Sequence, residues 1–276
     1  MLVDALVRRW TAAGHTVVDH RDPRRPPRGR VAFLHVNTTH VPPAYLAAAA
    51  GYPIAINGRA PSIDRAVFCN GLVEPDDNWD GPVIVKTRCN YGGVPERRLQ
   101  RRTFAGRWRL RWRWCFRRGW RHRRYLRPEA YPVLPDKATV PAGVWANPHL
   151  LVQRFVPERE GPVHFVRAWV FFGSRSISVR YGSADPIVKF GNRITDFIEA
   201  PVPGELEALR QRVGLDYGRF DYALHAGRPV VFDINKTMGP PKSDAEADAD
   251  VIDYLAGGLN DYLPVAGEPR VEGGVA

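Results

Sequence analysis

One stretch near the C-terminal end, residues 220–241, restricts the fold more than any other. It reads "FDYALHAGRPVVFDINKTMGPP", two segments rich in β-branched and aromatic residues around an Ala-Gly pair, which predicts a β-hairpin. Asp221 lies in the first predicted strand, and Asp233 and Asn235 end the second. Strands disfavour aspartate and asparagine, and buried charge requires a partner. The fold must therefore supply something that these oxygens bind.

The length of the hairpin turn decides whether the three side chains meet. A two-residue turn at 226–227 would place Asp221 and Asp233 on opposite faces. A three-residue turn at 226–228 would place them directly opposite each other, with Asn235 on the same face, and we predict this turn. Oxygen ligands without His or Cys suit Mg²⁺ or Mn²⁺. The alternative is that Asp221 caps a turn and Asp233 ends a strand.

Composition is that of a globular protein. The 276 residues are 44% hydrophobic and 25% charged, and the chain is long enough for one large domain or two modest ones. No apolar run approaches the roughly 20 residues of a membrane span, and the first residues lack signal-peptide order. We therefore expect a cytoplasmic protein that is not transmembrane. The cysteines match no metal or disulfide spacing and are expected to be free thiols: Cys69, Cys89 and Cys115.

The positive charge is concentrated in one segment. The formal net charge is +11, but residues 97–127 hold 14 arginines and no acidic residue, so the rest of the chain is slightly acidic. Aromatic residues recur there every four positions, which predicts one helical stripe: Trp108, Trp112, Phe116 and Trp120. This basic Arg/Trp segment could stack on bases or enter a membrane interface. Alternatively, the stripe packs the helix onto the protein.

The predicted elements alternate between helix and strand in the first part of the chain. This order favours a small parallel α/β layer over residues 1–63. The remaining chain is richer in strands, around a Pro-rich, irregular stretch at 131–148. Predicted helices cover 3–13, 43–50, 204–214 and 243–263. Predicted strands cover 15–20, 31–37, 52–57, 81–87, 149–156, 163–172 and 176–182, besides the two of the hairpin.

Two further stretches carry polar residues where strands end. Lys86 ends the apolar strand "PVIVK" and precedes Asn90-Tyr91-Gly92-Gly93, a lysine and loop able to bind phosphate oxygens. Alternatively, the lysine extends into solvent. The strand "LLVQRFV" breaks into a polar loop with Glu158 and Glu160, or is an ordinary strand edge.

Taken in order, four motifs resemble the ATP-grasp family of carboxylate–amine ligases. They are "VIVKTRCNYGG", "LLVQRFVPERE", "FVRAWVFFG" and "FDYALHAGRPVVFDINKTMGP", within residues 64–262. The similarity is to the ribosomal-protein glutamate-ligase and D-alanine–D-alanine ligase branches. It implies an α/β (α+β) class, with an abbreviated N-terminal domain at 1–63 and an ATP-grasp region at 64–265. A lid subdomain at 82–150 and a tail at 266–276 complete this division.

The resemblance implies an ATP site with Mg²⁺. Lys86 corresponds to the lysine that contacts the phosphates, and Gly92 and Gly93 to the lid loop over them. Adenine and ribose contacts fall on four residues: Gln153, Arg154, Val156 and Glu160. The implied magnesium ligands are Asp221, Asp233 and Asn235.

The implied reaction is ATP-dependent ligation. A substrate carboxylate accepts the γ-phosphoryl group, and an amine attacks the acylphosphate. Arg167 matches an arginine of the glutamate-ligase branch, and we expect Arg180 and Lys189 beside it, near the phosphoryl group or the carboxylate. Each of these three is alternatively a surface strand cation. The carboxylate and the amine are unassigned.

Several positions depart from the family pattern. The usual Asp-Lys pair is Asp64-Arg65, the hinge glutamate is Gln153, and Asp233 is shorter than the usual glutamate. The hairpin is followed by "MGPP" where the family has Pro-Gly. Two other hypotheses therefore stay open. One is a non-catalytic, nucleotide-binding protein, and the other binds RNA or another anionic surface through residues 97–127.

Overall fold

The computed structural model describes residues 1–108, 119–188, 198–239 and 245–263. Its helices are α1 Leu2–Ala12, α2 Pro43–Ala50, α3 Arg65–Phe68, α4 Val94–Arg101, α5 Ala142–Trp145, α6 Gly204–Val213 and α7 Ala245–Ala256. Its strands are β1 Val31–Phe33, β2 Ile54–Ile56, β3 Val83–Thr87, β4 Val133–Leu134, β5 Leu150–Arg154, β6 Glu158–Glu160, β7 Val163–Phe172, β8 Arg175–Ser183, β9 Ile198–Glu199, β10 Tyr217–His225 and β11 Arg228–Asn235.

A six-stranded antiparallel sheet forms the centre of the molecule. Its strands follow the order β11-β10-β7-β8-β9, and β6 pairs with β7 beside this path. The predicted β7–β8 hairpin is confirmed, since Phe172 pairs with Arg175. Gly173 turns it with a φ of 56°, and a Cβ there would lie 2.7 Å from the carbonyl oxygen of Gly258. Glycine is therefore required at this turn.

Two smaller sheets flank the large one. Strands β4, β3 and β5 form an antiparallel sheet that carries Lys86, and β1 pairs with β2 in parallel, as predicted for the N-terminal layer. One core cluster joins α1 and α7 to the large sheet through residues such as Leu6, Phe172 and Leu255. The N-terminal segment thus shares a core with the C-terminal helix. The domain division at residue 63 stays a prediction.

Two element predictions are wrong for physical reasons. Residues 15–20 form no strand, because they pair with no other segment, and Val17 and Val18 are exposed. β-branched residues favour a strand only where a neighbouring strand pairs with it and packs against their side chains. Residues 158–160, predicted as a polar loop, form β6 instead, where arginines of the neighbouring strands pair with its glutamates.

The predicted three-residue turn of the last hairpin is also wrong. The turn has two residues, Ala226 and Gly227, with φ values of 49° and 75°, as the tight hairpin turn requires. Asp221 nevertheless lies directly opposite Asp233, because the register shifts by one residue at a β-bulge. The extra residue is Phe232, between Asp233 and the Val231 that pairs with Tyr222. The bulge thus restores the alignment that the short turn alone would lose.

No helix among the described residues is both long enough and apolar enough to cross a membrane.

The two turn residues predict opposite effects on stability. Ala226→Asn should raise the free energy of unfolding by about 0.5–1 kcal/mol, because asparagine tolerates a positive φ better than alanine. Gly227→Ala should lower it by about 1 kcal/mol, although no atom lies within 4 Å of the added Cβ. Urea unfolding curves measure both changes. Equal effects of the two substitutions would contradict the assigned turn.

Candidate functional site

The site begins with the oxygens of the β10–β11 hairpin. Asp221 faces Asp233 across the strands, and Asn235 lies two residues beyond Asp233 and therefore on the same face. Asn235 Nδ2 donates to Asp221 Oδ2 at 3.1 Å, and Arg219 Nη2 donates to the same oxygen at 2.8 Å. Asp221 Oδ1 is buried without a partner. Burial raises the pKa of Asp221, and the charge of Arg219 opposes this shift.

Arg65 joins this hairpin to β3. Its side chain is fully buried, its Nη2 lies 3.0 Å from Asp233 Oδ1, and its Nη1 donates to the carbonyl oxygens of Thr87 and Cys89. The side chain of Asp64 accepts from the backbone N–H of Ala66 and so caps α3, which positions Arg65. The forked guanidinium reaches these acceptors through two nitrogens, whereas a lysine would have to serve them all from one ammonium group.

The glycine loop lies beside the hairpin. It is a single turn, Asn90–Gly93, in which Tyr91, Gly92 and Gly93 have φ values of 46°, 63° and 76°. A Cβ on Gly92 would lie 1.8 Å from the carbonyl oxygen of Leu126, so only glycine fits there. Asn90 Nδ2 reaches Asn235 Oδ1 at 3.5 Å. The loop therefore adjoins the hairpin oxygens.

Lys86 does not extend into solvent. Its side chain is 9% exposed, and its Nζ donates to Gln153 Oε1 at 2.9 Å. Gln153 is held in turn because its Nε2 donates to the carbonyl oxygen of Val231 at 3.0 Å. The ring of Phe232, the bulge residue, lies 5.3 Å from the ammonium group. Burial lowers the pKa of Lys86 to about 8, and the charge of Arg65 acts in the same direction.

The other residues expected to contact adenine and ribose are already buried or paired. The backbone N–H of Arg154 donates to Gly71 O at 2.7 Å, so it is not free to bind adenine, and its guanidinium stacks on Trp79. Val156 is buried after the end of β5. Glu160 forms an ion pair with Arg180, so its carboxylate must leave this partner before it can bind a ribose.

The strand register places two of the predicted catalytic residues, Arg167 and Arg180, on the face of the sheet opposite to the hairpin oxygens. Ala168 of β7 lies opposite Asp221, so Arg167 projects from the other face, and Arg180 shares that face as its direct cross-strand partner. Arg167 forms a bidentate ion pair with Glu158, at 2.8 and 2.6 Å. Arg167 and Arg180 therefore do not share a face with the hairpin oxygens, and their expected position near the phosphoryl group or the substrate carboxylate stays a prediction. Lys189 lies outside the described residues.

Three charged residues of this region were missed by the sequence reasoning. Arg219 carries a signal in the sequence, since it lies two residues before Asp221 and therefore on its face. Lys236 is 2% exposed and its Nζ has no partner; burial lowers its pKa to about 8, against the charge of Glu96. Glu96 lies in α4, and nothing local in the sequence places it near Lys236.

The basic Arg/Trp segment is divided between core and surface. Trp120 packs against the core of the β4-β3-β5 sheet, and the guanidinium carbon of Arg123 lies 4.6 Å from the centre of its ring. Phe104 and Trp108 are instead 78% and 62% exposed, and α4 has no buried residue. The other members of the predicted stripe, Trp112 and Phe116, lie outside the described residues.

The hairpin oxygens fit a hard divalent cation. In the described ranges, no group of three His, Cys, Asp or Glu side chains is placed to hold a metal, so the candidate set is two carboxylates and one amide. Asp221 Oδ1, buried and without a partner, is the observation in favour, since such an oxygen requires a donor or a cation. The set suits Mg²⁺ completed by water and phosphate oxygens.

Comparison with solved structures identifies the fold. The chain matches a RimK domain ATP-grasp protein from Sphaerobacter thermophilus with a TM-score of 0.52, 16% identity and coverage of 94% of this chain and 95% of that one. The chain therefore has the ATP-grasp fold, as predicted, over most of its length. No protein-family model and no curated protein sequence matches it.

Two weaker structural similarities are to named ligases. A D-alanine–D-alanine ligase from Bacillus anthracis in complex with ATP matches with a TM-score of 0.42 and 14% identity, covering 84% of this chain and 78% of that one. A RiPP-associated ATP-grasp ligase from Chryseobacterium gregarium, in complex with ADP and peptides, matches with a TM-score of 0.35 and 10% identity. It covers 66% of this chain and 49% of that one. The fold assignment depends on neither.

Burial of Lys86 predicts a pH-dependent contribution to stability. The folded protein releases this proton near pH 8 and the unfolded chain near 10.5, so between these values the unfolded chain binds more protons. The free energy of unfolding of the wild-type protein, relative to that of Lys86→Met, should therefore rise by about 2–3 kcal/mol from about pH 7 to 10. Urea unfolding at each pH measures it, with Lys137→Met at a partly exposed lysine as the control. A constant difference would contradict the burial of this ammonium group.

Proposed function

We propose that the protein binds Mg·ATP between the glycine loop and the β10–β11 hairpin, and uses it to join a carboxylate to an amine. One observation carries the proposal: Asp221 faces Asp233 with Asn235 on the same face, beside the loop Asn90–Gly93. This arrangement sets hard oxygen ligands next to backbone that can wrap phosphates. The ATP-grasp fold supports the reaction class, and the division at residue 63 is part of the same proposal.

Asp221, Asp233 and Asn235 would hold the cation in this proposal. When bound, Mg²⁺ supplies positive charge that neutralises phosphate oxygens. Part of the charge of the two carboxylates is already balanced without the cation, because Arg219 pairs with Asp221 and Arg65 pairs with Asp233. These ion pairs hold the oxygens in place across the strands, so that little reorganisation is required on binding.

Lys86 is the proposed phosphate-binding cation. Arg65 already serves Asp233 and two carbonyl groups, which leaves Lys86, with one amide partner, freer to contact a phosphate. Gln153 positions this lysine, and Gly92 and Gly93 offer their N–H groups. The hinge contacts of Val156 and Glu160 with adenosine belong to the proposal, although Glu160 must then exchange its pair with Arg180.

The proposed reaction has two steps. A carboxylate oxygen of the substrate attacks the γ-phosphorus, and the bond from that phosphorus to ADP breaks. An amine then attacks the carbonyl carbon of the acylphosphate, the C–O bond to phosphate breaks, and the amine loses a proton as the amide forms. The protein contributes position and electrostatic stabilisation.

Asp221→Asn should weaken Mg²⁺-dependent ATP binding by about tenfold or more, equivalent to about 1.4 kcal/mol, because it removes the charge of the orphaned oxygen. Titration with a fluorescent ATP analogue, with Mg²⁺ and with EDTA, measures the effect. Asp76→Asn, at an exposed aspartate, is the matched control. Undiminished Mg²⁺-dependent affinity in Asp221→Asn would exclude the proposed metal site.

Catalysis is tested separately from binding. An ADP-release screen of carboxylate and amine pairs with Mg²⁺ should identify a pair that the wild-type protein turns over and Asp221→Asn does not. ATP binding without ADP release from any pair would instead favour a non-catalytic nucleotide-binding protein.

A second candidate function is supported by the exposed part of the basic segment. Phe104 and Trp108 are exposed among arginines that include Arg101, Arg102 and Arg107, and exposed aromatic rings beside cations can stack on bases. The segment begins within α4, which directly follows the glycine loop. We therefore also propose that this surface binds RNA.

This second function predicts a steep salt dependence. The affinity for single-stranded RNA should fall strongly between about 50 and 200 mM salt, and the double substitution Phe104→Ala, Trp108→Ala should weaken it by about tenfold or more. Fluorescence anisotropy measures both. Val17→Ala, Val18→Ala removes exposed apolar side chains elsewhere and is the control. RNA that does not bind even at low salt would exclude this function.

A further inference from the structure

Lys86 and Gln153 form a buried pair between the β4-β3-β5 sheet and β11. Lys86 Nζ donates to Gln153 Oε1 at 2.9 Å, and Gln153 Nε2 donates to the carbonyl oxygen of Val231 at 3.0 Å. Gln153 itself is fully buried. Because a carbonyl oxygen only accepts and an ammonium group only donates, one orientation of the Gln153 amide serves both neighbours.

This amide suits both charge states of the lysine. A neutral amine keeps two N–H groups and can still donate to Gln153 Oε1, so loss of the proton leaves the contact intact. A carboxylate in the same place would carry a negative charge beside the ammonium group and retain its proton. The ring of Phe232, 5.3 Å from Nζ, attracts the charged form less strongly than a carboxylate would.

Two groups of the α3 region act on the charge of Lys86. The guanidinium of Arg65 is a second buried cation, and its charge disfavours the ammonium form. Cys69, directly after α3, would favour that form as a thiolate. Burial raises the pKa of the Cys69 thiol, however, so the thiol is neutral where Lys86 titrates.

The other two groups that act on Lys86 are carboxylates of the hairpin, Asp233 and Asp221. Both favour the ammonium form, but each already pairs with an arginine, Asp233 with Arg65 at 3.0 Å and Asp221 with Arg219 at 2.8 Å. None of the described carboxylates that act on Lys86 therefore lacks an arginine partner. A buried ammonium group in such surroundings loses its proton more readily than an exposed one.

We propose that Gln153 makes nucleotide binding by this protein dependent on pH, because it allows Lys86 to lose its charge when no phosphate is bound. Phosphate oxygens beside Nζ favour the ammonium group, so the complex holds a proton that part of the free protein has lost. ATP binding at alkaline pH therefore takes up this proton. The inference rests on the proposed Mg·ATP site, to whose phosphate-binding lysine it assigns a regulation.

The charge of Lys86 is measured first, in the full chain without ligand. The chain has five lysines, so NMR of their ¹³C-labelled ε groups against pH gives few signals, and Lys86→Arg identifies the Lys86 signal by removing it. This signal should titrate near pH 8 in the wild type. Its midpoint should rise by about one pH unit or more in Gln153→Glu and fall in Gln153→Met, which removes the acceptor. Because the shifts are opposite, one folded variant is sufficient.

ATP binding is then measured in the same proteins with the fluorescent ATP analogue at constant free Mg²⁺. The wild-type affinity should be nearly constant below about pH 7.5 and should fall above about pH 8 by up to about tenfold per unit. In Gln153→Glu the fall should begin about one unit higher. Gln211→Glu, at an exposed glutamine, is the matched control and should keep the wild-type profile. Calorimetry in buffers of different ionisation enthalpy should detect proton uptake with ATP at about pH 8.5.

The two proposals fail in different ways. ATP affinity that stays constant between about pH 7 and 10 would overturn the regulation and leave the Mg·ATP site intact. A Lys86 signal with the same midpoint in the wild type and in the folded Gln153 variants would also overturn it, since Gln153 would then not set the charge. Failure to bind ATP at every pH would overturn the Mg·ATP proposal and the regulation together. Matched shifts of the NMR midpoint and of the ATP profile are the expected result.

Discussion

The buried guanidinium of Arg65 is the interaction on which the rest of the site depends. It pairs with Asp233 of β11 and donates to carbonyl oxygens at the end of β3, so it joins the large sheet to the small one. A guanidinium buried away from water must be fully paired, and removal of one partner of such a pair costs several kcal/mol. This side chain from α3 therefore fixes the position of Lys86 and of the glycine loop relative to the hairpin oxygens, together with the bonds from Gln153 to Val231 and from Asn90 to Asn235.

Two backbone irregularities complete the alignment of the site residues. The bulge at Phe232 compensates the two-residue turn, so that Asp221 and Asp233 meet, and it also places the Phe232 ring near the Lys86 ammonium group. The positive φ angles of the glycine loop fold its backbone against residues 125–126. Both features carry local conformational cost, which a fold retains where it positions functional groups.

Charges on this molecule fall into two kinds. Arg167, Arg180, Glu158 and Glu160 form a satisfied network on the face of the sheet away from Asp221, and they hold β6 against β7. Lys236, Glu96 and Asp221 instead keep buried atoms without partners. Satisfied networks stabilise a structure, whereas each unsatisfied buried polar atom carries a desolvation cost.

Local residue patterns predicted many of the helices and strands, and the order of the motifs predicted the fold. Residue patterns predicted α1, β7, the β7–β8 turn, the last hairpin and the parallel pair β1–β2, and four ordered motifs predicted the ATP-grasp fold, because hydrophobic period, turn chemistry and motif order are local or sequential properties. The same motifs indicated Lys86, the glycine loop and the three hairpin oxygens as candidate site residues.

Which side chains meet depends on contacts between segments that are distant in the chain. The face of Arg167 depends on strand register, and the partner of Arg65 depends on how two sheets pack. Register, bulges and burial arise from contacts between distant segments, and a single-residue shift reverses the face of every side chain in a strand. That is why the sequence indicated the residue types of the site, and the fold selected which of them share one face.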